Sequence, residues 1–265
     1  MAKIISVVNQ KGGNGKTTTT TNLAAYLAAM GKYVLLVDLD PQANATSGLG
    51  FEPDNLEKHL YHAFSDEFYP EDIIRRTNLF GYDIMPSNGD LAGAAIELVG
   101  TEEREFKLYN ILHRVRTNYD YILIDCPPSL GLLTINGLTA ADEIVVPVQC
   151  EYYALEGLGQ LIKTVNLIQD NLGRDLKIKG ALLTMHDPRN NLSRQVAKEI
   201  RLHFPGYVFE SEIPRCVRLA EAPSFGKTIF QYDPDSKGGR AYRQLAEELI
   251  RLDSVSAKID PAIRP

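Results

Sequence analysis

The chain has 265 residues, 44% hydrophobic and 23% charged, which is enough to bury a full core without disulfides or structural metals. Its net charge of −6, from 28 Lys/Arg and 34 Asp/Glu, argues against a simple nucleic-acid-binding protein. Three scattered cysteines exclude a disulfide framework, and no Cys/His cluster suggests a zinc site. With no run of 18 apolar residues and no signal-peptide cleavage site, we expect a cytoplasmic protein with no membrane partner.

Short, continuously apolar runs alternate with helical patterns along the chain. The runs predict strands at Ile4–Val8, Tyr33–Val37, Tyr121–Ile124, Ile144–Val148, Leu182–Met185 and Tyr207–Phe209. The helical patterns cover Thr17–Met30, Leu91–Val99, Glu102–Arg116, Leu130–Ala140, Leu155–Asn171, Ser193–Phe204 and Gly239–Leu252. This alternation predicts an α/β fold, with a mostly parallel, twisted sheet flanked by helices on both faces. We expect one domain over residues 1–252, followed by a tail at 253–265.

The segment Phe51–Asn78 is acidic, aromatic and less regular than the rest of the chain. It predicts short helices packed over one edge of the sheet. Its two histidines, His59 and His62, are predicted to be surface residues, since no third metal-type ligand accompanies them.

The strongest motif is a glycine-rich loop between the first strand and the first helix. Gly12, Gly13 and Gly15 let the backbone curl so that several N–H groups point at one oxyanion. The following helix adds its free N–H groups and its dipole, Lys16 adds a cation, and the Thr17 hydroxyl suits Mg²⁺. The strict phosphate-loop pattern requires glycine where this chain has Gln10, so the loop is a variant of the motif of P-loop nucleotide hydrolases.

Two carboxylate loops are predicted to face the same site. The second strand ends in Asp38-Leu39-Asp40, and the strand Tyr121–Ile124 is followed by Asp125. Ligands of open parallel sheets lie beyond the carboxyl ends of the strands, so both loops should face the phosphates. An aspartate after an apolar strand is typical of a carboxylate associated with Mg²⁺.

Charge is unevenly distributed. Residues 174–243 carry 13 Lys/Arg and 8 Asp/Glu, a net of +5, which leaves −11 for the remainder. A basic region on an acidic body could hold a polyanion locally, although composition alone favours a mixed, solvated surface.

Together these residues resemble the ParA/MinD family of ATPases, whose variant loop reads K-G-G-x-G-K-[ST]. The resemblance extends from Ile4 to about Leu252 and is closest to the chromosomal Soj/ParA branch, which segregates DNA with a ParB-type partner. It is carried by the segments Lys11–Thr18, Val37–Asn44, Ile124–Ser129, Thr184–Arg189 and Ile213–Ser224.

The resemblance implies ATP and Mg²⁺ as cofactors and a role for each matching residue. Lys11 resembles a lysine that crosses a dimer interface to the phosphates of the other subunit, and Asp40 an aspartate that supports attack by water. ATP contacts are implied at Lys11, Gly12, Gly13, Asn14, Gly15, Lys16, Thr17 and Thr18, with Met185 and Pro214 beside the adenine. Metal contacts are implied at Thr17, Asp38 and Asp125, and DNA contacts at Arg189 and Arg218.

By resemblance, the chain is a slow, partner-stimulated ATPase that forms a homodimer around ATP. The dimer would bind double-stranded DNA without sequence preference, associate with the nucleoid and work with a ParB/Spo0J-type protein. Two positions depart from the family. Asn14 replaces a frequent valine, and Cys216 replaces a frequent asparagine near the adenine.

Three alternatives remain at this point. A MinD-like membrane-cycling ATPase shares the loop but carries a basic amphipathic C-terminal helix, whereas the stripe Leu245, Leu249 and Leu252 has an acidic polar face. A reductase like the nitrogenase iron protein needs cluster-binding thiolates, which the scattered cysteines do not suggest. A nucleotide-sensing scaffold without turnover is the third alternative, and Asp40 argues against it.

Overall fold

An eight-stranded sheet forms the centre of the protein in the computed structural model, which describes residues 1–151 and 154–259. The strands run in the order β3-β4-β2-β5-β1-β6-β7-β8. All neighbouring pairs are parallel except β3 and β4, which are antiparallel. The strands are β1 (Lys3–Val7), β2 (Val34–Asp38), β3 (Arg75–Arg76), β4 (Tyr82–Met85), β5 (Tyr121–Asp125), β6 (Glu143–Gln149), β7 (Lys177–His186) and β8 (Ile213–Pro214).

Twelve α-helices connect the strands within the described residues. They are α1 (Lys16–Ala29), α2 (Asn44–Gly48), α3 (Leu60–Phe64), α4 (Pro70–Ile73), α5 (Leu91–Glu97), α6 (Lys107–Val115), α7 (Leu132–Ala140), α8 (Ala154–Leu172), α9 (Asn191–His203), α10 (Val217–Glu221), α11 (Ile229–Tyr232) and α12 (Lys237–Ile259). Short 3₁₀ turns lie at Pro53–Asn55, Leu98–Gly100, Arg104–Phe106, Arg116–Asn118 and Ala222–Phe225.

The sheet is buried on both faces, as the apolar runs predicted. In β2, Leu35 and Val37 pack into the core on the face covered by α3 to α9. Val34 and Leu36 face the opposite core, which α1 and α12 cover. Side chains of a strand alternate between faces, so a run without polar residues is needed where helices cover both.

The sequence prediction was wrong or incomplete at several elements. Tyr207–Phe209 is not a strand; only Val208 forms a bridge, to Ala181, and the last strand is β8. Strands β3 and β4 were not predicted. The helix predicted over Glu102–Arg116 is interrupted by a 3₁₀ turn before α6.

The acidic segment Phe51–Asn78 forms short helices at the sheet edge, as predicted, and also contributes β3. His59 is buried, however, and its ring lies 4.1 Å from that of His62, so the predicted surface position is wrong for His59. Burial lowers the pKa of His59, and the neighbouring His62 adds to this effect.

The C-terminal helix continues beyond the helical pattern at Gly239–Leu252. Leu245 and Leu249 are buried against the core beside α1, so the stripe packs on the body of the protein. Asp253, in the segment predicted as a tail, pairs with Lys3 at 2.6 Å and with Lys179. Residues 260–265 of that predicted tail lie outside the described residues. No helix within the described part of the chain has both the length and the apolarity needed to cross a membrane.

Candidate functional site

The glycine-rich loop joins the central strand β1 to α1. Gly13 and Gly15 have φ angles of 76° and 82°, in the left-handed region that glycine adopts without strain. A Cβ atom at Gly13 would meet nothing within 4 Å, so the requirement there is conformational and not steric. Gly15 occupies the N-cap position of α1 and makes no side-chain cap. The N–H groups in the first turn of α1 are therefore left free to bind an anion.

Next to this loop lies a cavity of about 710 Å³. Predicted residues from three segments line it, together with several that were not predicted. The lining consists of Gly12, Gly13, Gly15, Lys16, Thr17, Thr18, Asp40, Gln42, Asn44, Ser47, Gly48, Pro128, Met185, Pro223 and Ser224.

A second cavity, of about 210 Å³, adjoins the first. It is lined by Gly15, Thr18, Thr184, Met185, Ile213, Pro214, Arg215, Cys216, Leu219, Ala220 and Tyr242. Met185 lines both cavities, and its φ of 52° is unusual for a residue with a side chain. The structure therefore brings Met185 and Pro214 together with the glycine-rich loop.

The two lysines of the loop point in different directions. Lys16 is buried, and its ammonium donates a hydrogen bond to the Lys11 carbonyl oxygen at 3.3 Å. Burial lowers the pKa of Lys16, and the negative charge of Asp125 opposes this change. The Lys11 side chain does not line the large cavity; its ammonium lies 3.5 Å from a Glu151 carboxylate oxygen.

Asn14 contributes to the site through its backbone. Its side chain is buried, and its carbonyl oxygen accepts a hydrogen bond from the Thr184 hydroxyl at 2.9 Å. This bond ties the loop to β7, beside the smaller cavity.

The three predicted carboxylates converge at the carboxyl edge of the sheet. Asp38 and Asp125 are register partners on the neighbouring strands β2 and β5, and both are fully buried. One Asp38 oxygen accepts the Thr46 N–H and hydroxyl at 2.8 and 2.7 Å, and the other accepts the Asp40 N–H at 3.3 Å. Asp38 therefore fixes the loop that carries Asp40.

Asp125 has one oxygen without a hydrogen-bond partner. Its Oδ1 accepts a hydrogen bond from the Thr20 hydroxyl at 3.2 Å, whereas its buried Oδ2 has no partner among the described residues. Burial raises the pKa of Asp125, and the neighbouring charge of Asp38 raises it further. Because clustered, buried carboxylates repel one another, this group favours a bound cation.

The donor set fits Mg²⁺ shared with a ligand. Within the described residues, no three or more Asp, Glu, His or Cys side chains form a group that could hold a metal. Mg²⁺ commonly takes one or two protein carboxylates and completes its shell with phosphate oxygens and water. The unpartnered oxygen of Asp125 is consistent with that arrangement.

Sequence reasoning missed part of the cavity wall. Asn44 and Ser47 lie in helix α2, directly after the loop that carries Asp40. Their closeness to Asp40 in the sequence could have predicted that they line the same cavity. Pro223 and Ser224 come from a turn nearly 200 residues beyond the glycine-rich loop. Only the family motif that includes them could have indicated their position.

Arg189 and Arg218 lie outside both cavities. They follow the neighbouring strands β7 and β8, so both segments leave the sheet at the same edge. Arg189 is 90% exposed and pairs with Asp187 at 3.1 Å. Arg218 is half exposed and pairs with Glu221 at 3.0 Å.

The cysteines do not resemble cluster ligands. All three are free thiols, and Cys126 and Cys150 are buried. Burial raises the pKa of Cys126 to about 12 and that of Cys150 to about 11, which disfavours the thiolates that an iron–sulfur cluster requires.

Sequence comparison identifies relatives over nearly the whole chain. Residues 2–178 match the family model described as an AAA domain. The sporulation initiation inhibitor protein Soj of Bacillus subtilis is 57% identical over 249 residues, covering 94% of this chain and 98% of its own length. The chromosome partitioning protein ParA of Myxococcus xanthus is 50% identical, covering 96% of this chain and 90% of its own length.

Solved structures share the fold. The cobyrinic acid a,c-diamide synthase of Mycobacterium smegmatis, with bound ADP and magnesium, has a TM-score of 0.85 and 38% identity, with 96% of each chain covered. The septum site-determining protein MinD of Pyrococcus horikoshii, complexed with Mg-ADP, has a TM-score of 0.78 and 28% identity, covering 96% of this chain and 98% of its own. Because the identities to Soj and ParA are higher and span almost the full length, the chain belongs to the ParA/Soj family of chromosome-partitioning ATPases.

Proposed function

We propose that this chain is a slow ATPase that pairs with a second copy in its ATP state, binds DNA in that state and takes part in chromosome or plasmid segregation with a ParB-type partner. The observation that carries the proposal is the arrangement of the glycine-rich loop. Lys16 lines the larger cavity of its own chain, whereas the Lys11 ammonium lies outside that cavity, beside Glu151.

ATP fits the two adjoining cavities. The triphosphate would lie against the glycine-rich loop, where Lys16, Thr17 and Thr18 supply a cation, hydroxyls and helical N–H groups. Gly12, Gly13, Asn14 and Gly15 would contribute their backbone. The base would occupy the smaller, mostly apolar cavity between Met185 and Pro214.

Thr17, Asp38 and Asp125 would hold Mg²⁺. Bound Mg²⁺ would neutralise phosphate charge and orient the triphosphate. Asp38 would act mainly through its charge, because both of its oxygens already accept hydrogen bonds. Asp125 has an oxygen free for a water of the ion's shell.

Lys11 would reach the phosphates of a second copy. Its ammonium lies outside its own cavity on a partly exposed side chain, so a triphosphate held by a facing chain would be its counterion in the pair. ATP would thus favour the dimer, and hydrolysis would remove part of that attraction. Asp40 would orient the attacking water. Since no arginine of the described residues lines the larger cavity, we infer slow turnover that a partner raises.

The test of pairing is the size of the protein in solution with ATP, with ADP and with a slowly hydrolysed ATP analogue. We expect the wild type to dimerise with ATP and the analogue. Lys11→Ala should bind nucleotide yet remain monomeric. Lys177→Ala is the control. Lys177 is an exposed lysine at the amino end of β7, away from the carboxyl edge of the sheet where the glycine-rich loop lies, so this variant should behave as wild type. If Lys11→Ala dimerises with ATP as the wild type does, the pairing proposal is wrong.

Arg189 and Arg218 would contact DNA phosphates, which makes binding independent of sequence and sensitive to salt. The double variant Arg189→Glu, Arg218→Glu should lower duplex affinity in the ATP state at least about tenfold at moderate salt and reduce the salt dependence. Arg76→Glu, on the far edge strand β3, is the control. Fluorescence anisotropy with a labelled duplex measures both effects, and unchanged affinity in the double variant would refute this assignment.

A further inference from the structure

Lys11 and Glu151 lie at the ends of neighbouring strands. Lys11 follows β1 and Glu151 follows β6, and the two strands pair in parallel. Their charged groups approach to 3.5 Å, with 42% of the Lys11 side chain and 49% of the Glu151 side chain exposed. The lysine that the proposed function sends to a second copy is therefore held by a carboxylate of its own chain.

Hydrogen bonds orient the Glu151 carboxylate and the Lys11 backbone. One Glu151 oxygen accepts a hydrogen bond from the Gln149 amide at 2.7 Å, so the other faces Lys11. The Asn9 side chain accepts the Lys11 N–H at 3.1 Å and donates to the Pro147 carbonyl in β6 at 2.8 Å. These bonds hold the Lys11 backbone beside β6, while its long side chain keeps the freedom to swing away.

We propose that Glu151 is a positioning residue that holds Lys11 within its own chain until the triphosphate of a second copy displaces it. This inference rests on the proposed ATP-dependent pairing. Lys11 cannot contact Glu151 and a facing triphosphate at the same time, so the two anions compete for one ammonium. A triphosphate carries more negative charge than a diphosphate and competes better. Glu151 therefore raises the threshold for pairing.

The size of the effect follows from the exposure of the pair. An ion pair at an exposed site shifts an equilibrium by about 1.5- to 5-fold. Formation of one symmetric dimer breaks two such pairs, so the factor is squared. Removal of the Glu151 charge should tighten the dimer by about 2- to 25-fold, and the gain should shrink as salt screens the contact.

The test compares dimer dissociation constants, measured by sedimentation with the slowly hydrolysed ATP analogue. Glu151→Gln keeps an oxygen for the Gln149 amide but loses the charge, and should give the tighter dimer. Glu151→Asp restores the charge and should return towards wild type. Glu247→Gln, which removes an exposed pair with Arg243 on α12, should leave the constant unchanged. In the Lys11→Ala background, which is expected to stay monomeric, Glu151→Gln should not restore pairing.

The outcomes separate this inference from the proposed function. If the wild type pairs with ATP and Lys11→Ala does not, but Glu151→Gln pairs equally or more weakly, the role of Glu151 is overturned and the pairing stands. A gain from Glu151→Gln that persists without Lys11 also overturns it. If the wild type does not pair with ATP, both the proposed function and this inference fall.

Discussion

Lys11 and Lys16 belong to one loop, yet only Lys16 faces the cavity. The left-handed turns at Gly13 and Gly15 reverse the backbone between them, so the two side chains leave on different sides. Glycine spacing after an apolar strand was enough to predict the site of Lys16. The contact between Lys11 and Glu151 was not predictable, because it joins residues 140 positions apart through a strand order that the sequence does not display.

A second residue-level feature is the placement of Asp40. Its Oδ1 accepts the Gln42 N–H at 3.0 Å, and its carbonyl accepts the Ser87 hydroxyl at 2.9 Å. These bonds orient the carboxylate at the cavity wall. The pattern of aspartates after β2 predicted that Asp40 faces the phosphates; in the structure Asp40 lines the larger cavity, and its contact with phosphate stays a prediction.

Asp40→Asn should separate turnover from pairing. The amide oxygen can still accept the Gln42 N–H, whereas the charge that would assist the attacking water is lost. We expect ATP-dependent dimerisation to persist and phosphate release to fall at least about 100-fold. Asp54→Asn, an exposed aspartate, is the control. Phosphate release at the wild-type rate would exclude Asp40 from the chemistry.

At the scale of elements, the central strands were predictable and the edge strands were not. Continuous apolar runs are required where helices cover both faces, and this signal is strong in β1, β2, β5 and β6. Strand β4 is only four residues long and contains Asp83, which accepts a hydrogen bond from the Tyr119 hydroxyl at 2.9 Å. Strand β8 has two residues, too few for any periodicity.

The residues Tyr207–Phe209 have strand-like composition but serve a packing role. Phe209 is fully buried, and a Cβ atom on Gly180 in β7 would approach its ring to 2.9 Å. The glycine makes room for the aromatic ring, and Val208 forms a single parallel bridge to Ala181 of β7. Aromatic content alone cannot distinguish a single bridge from an extended strand pairing.

The packing of α7 on the sheet depends on a glycine. A Cβ atom at Gly137 would lie 2.8 Å from the Cys126 sulfur and 3.0 Å from Leu39 Cδ2. Gly137→Ala should therefore lower the free energy of unfolding by about 1–3 kcal/mol, measured by urea denaturation. Gly159→Ala in α8 is the matched control. A methyl group there would meet nothing within 4 Å, so this substitution should raise stability by about 0.5–1 kcal/mol. Equal effects of the two substitutions would contradict the packing argument.

At the scale of the whole molecule, a cluster of charges joins the C-terminal helix to the sheet. Asp253 of α12 accepts hydrogen bonds from Lys3 at 2.6 Å, from the Tyr121 hydroxyl at 2.8 Å and from Lys179. Glu143 completes the cluster, 3.1 Å from Lys179. The sequence predicted none of this, because its members lie on β1, β5, β6, β7 and α12 and meet only after the sheet has formed.

This cluster predicts a dependence of stability on pH. Burial raises the pKa of Asp253, but the hydrogen bonds from Lys179 and Lys3 outweigh it, and the pKa is lowered on balance. The stabilisation is then complete above the unfolded value of about 3.9 and is lost as the pH falls through the lower folded value.

Asp253→Asn should therefore lower the free energy of unfolding by about 2 kcal/mol at pH 7, and the difference from wild type should narrow near pH 3. Urea denaturation at both pH values measures it. Asp175→Asn, which removes an exposed pair with Lys177, should change stability by less than about 0.5 kcal/mol. If the loss of unfolding free energy in Asp253→Asn is the same at both pH values, the charge of Asp253 is not the source of the stabilisation.

The walls of the two adjoining cavities are spread along the chain from Gly12 to Tyr242. During synthesis, the glycine-rich turn leaves the ribosome early, whereas the segments that complete the smaller cavity emerge only near the end of translation. A growing chain can therefore form the anion-binding turn long before both cavities are complete. Tight nucleotide binding is then expected only after the C-terminal segments have been synthesised and folded.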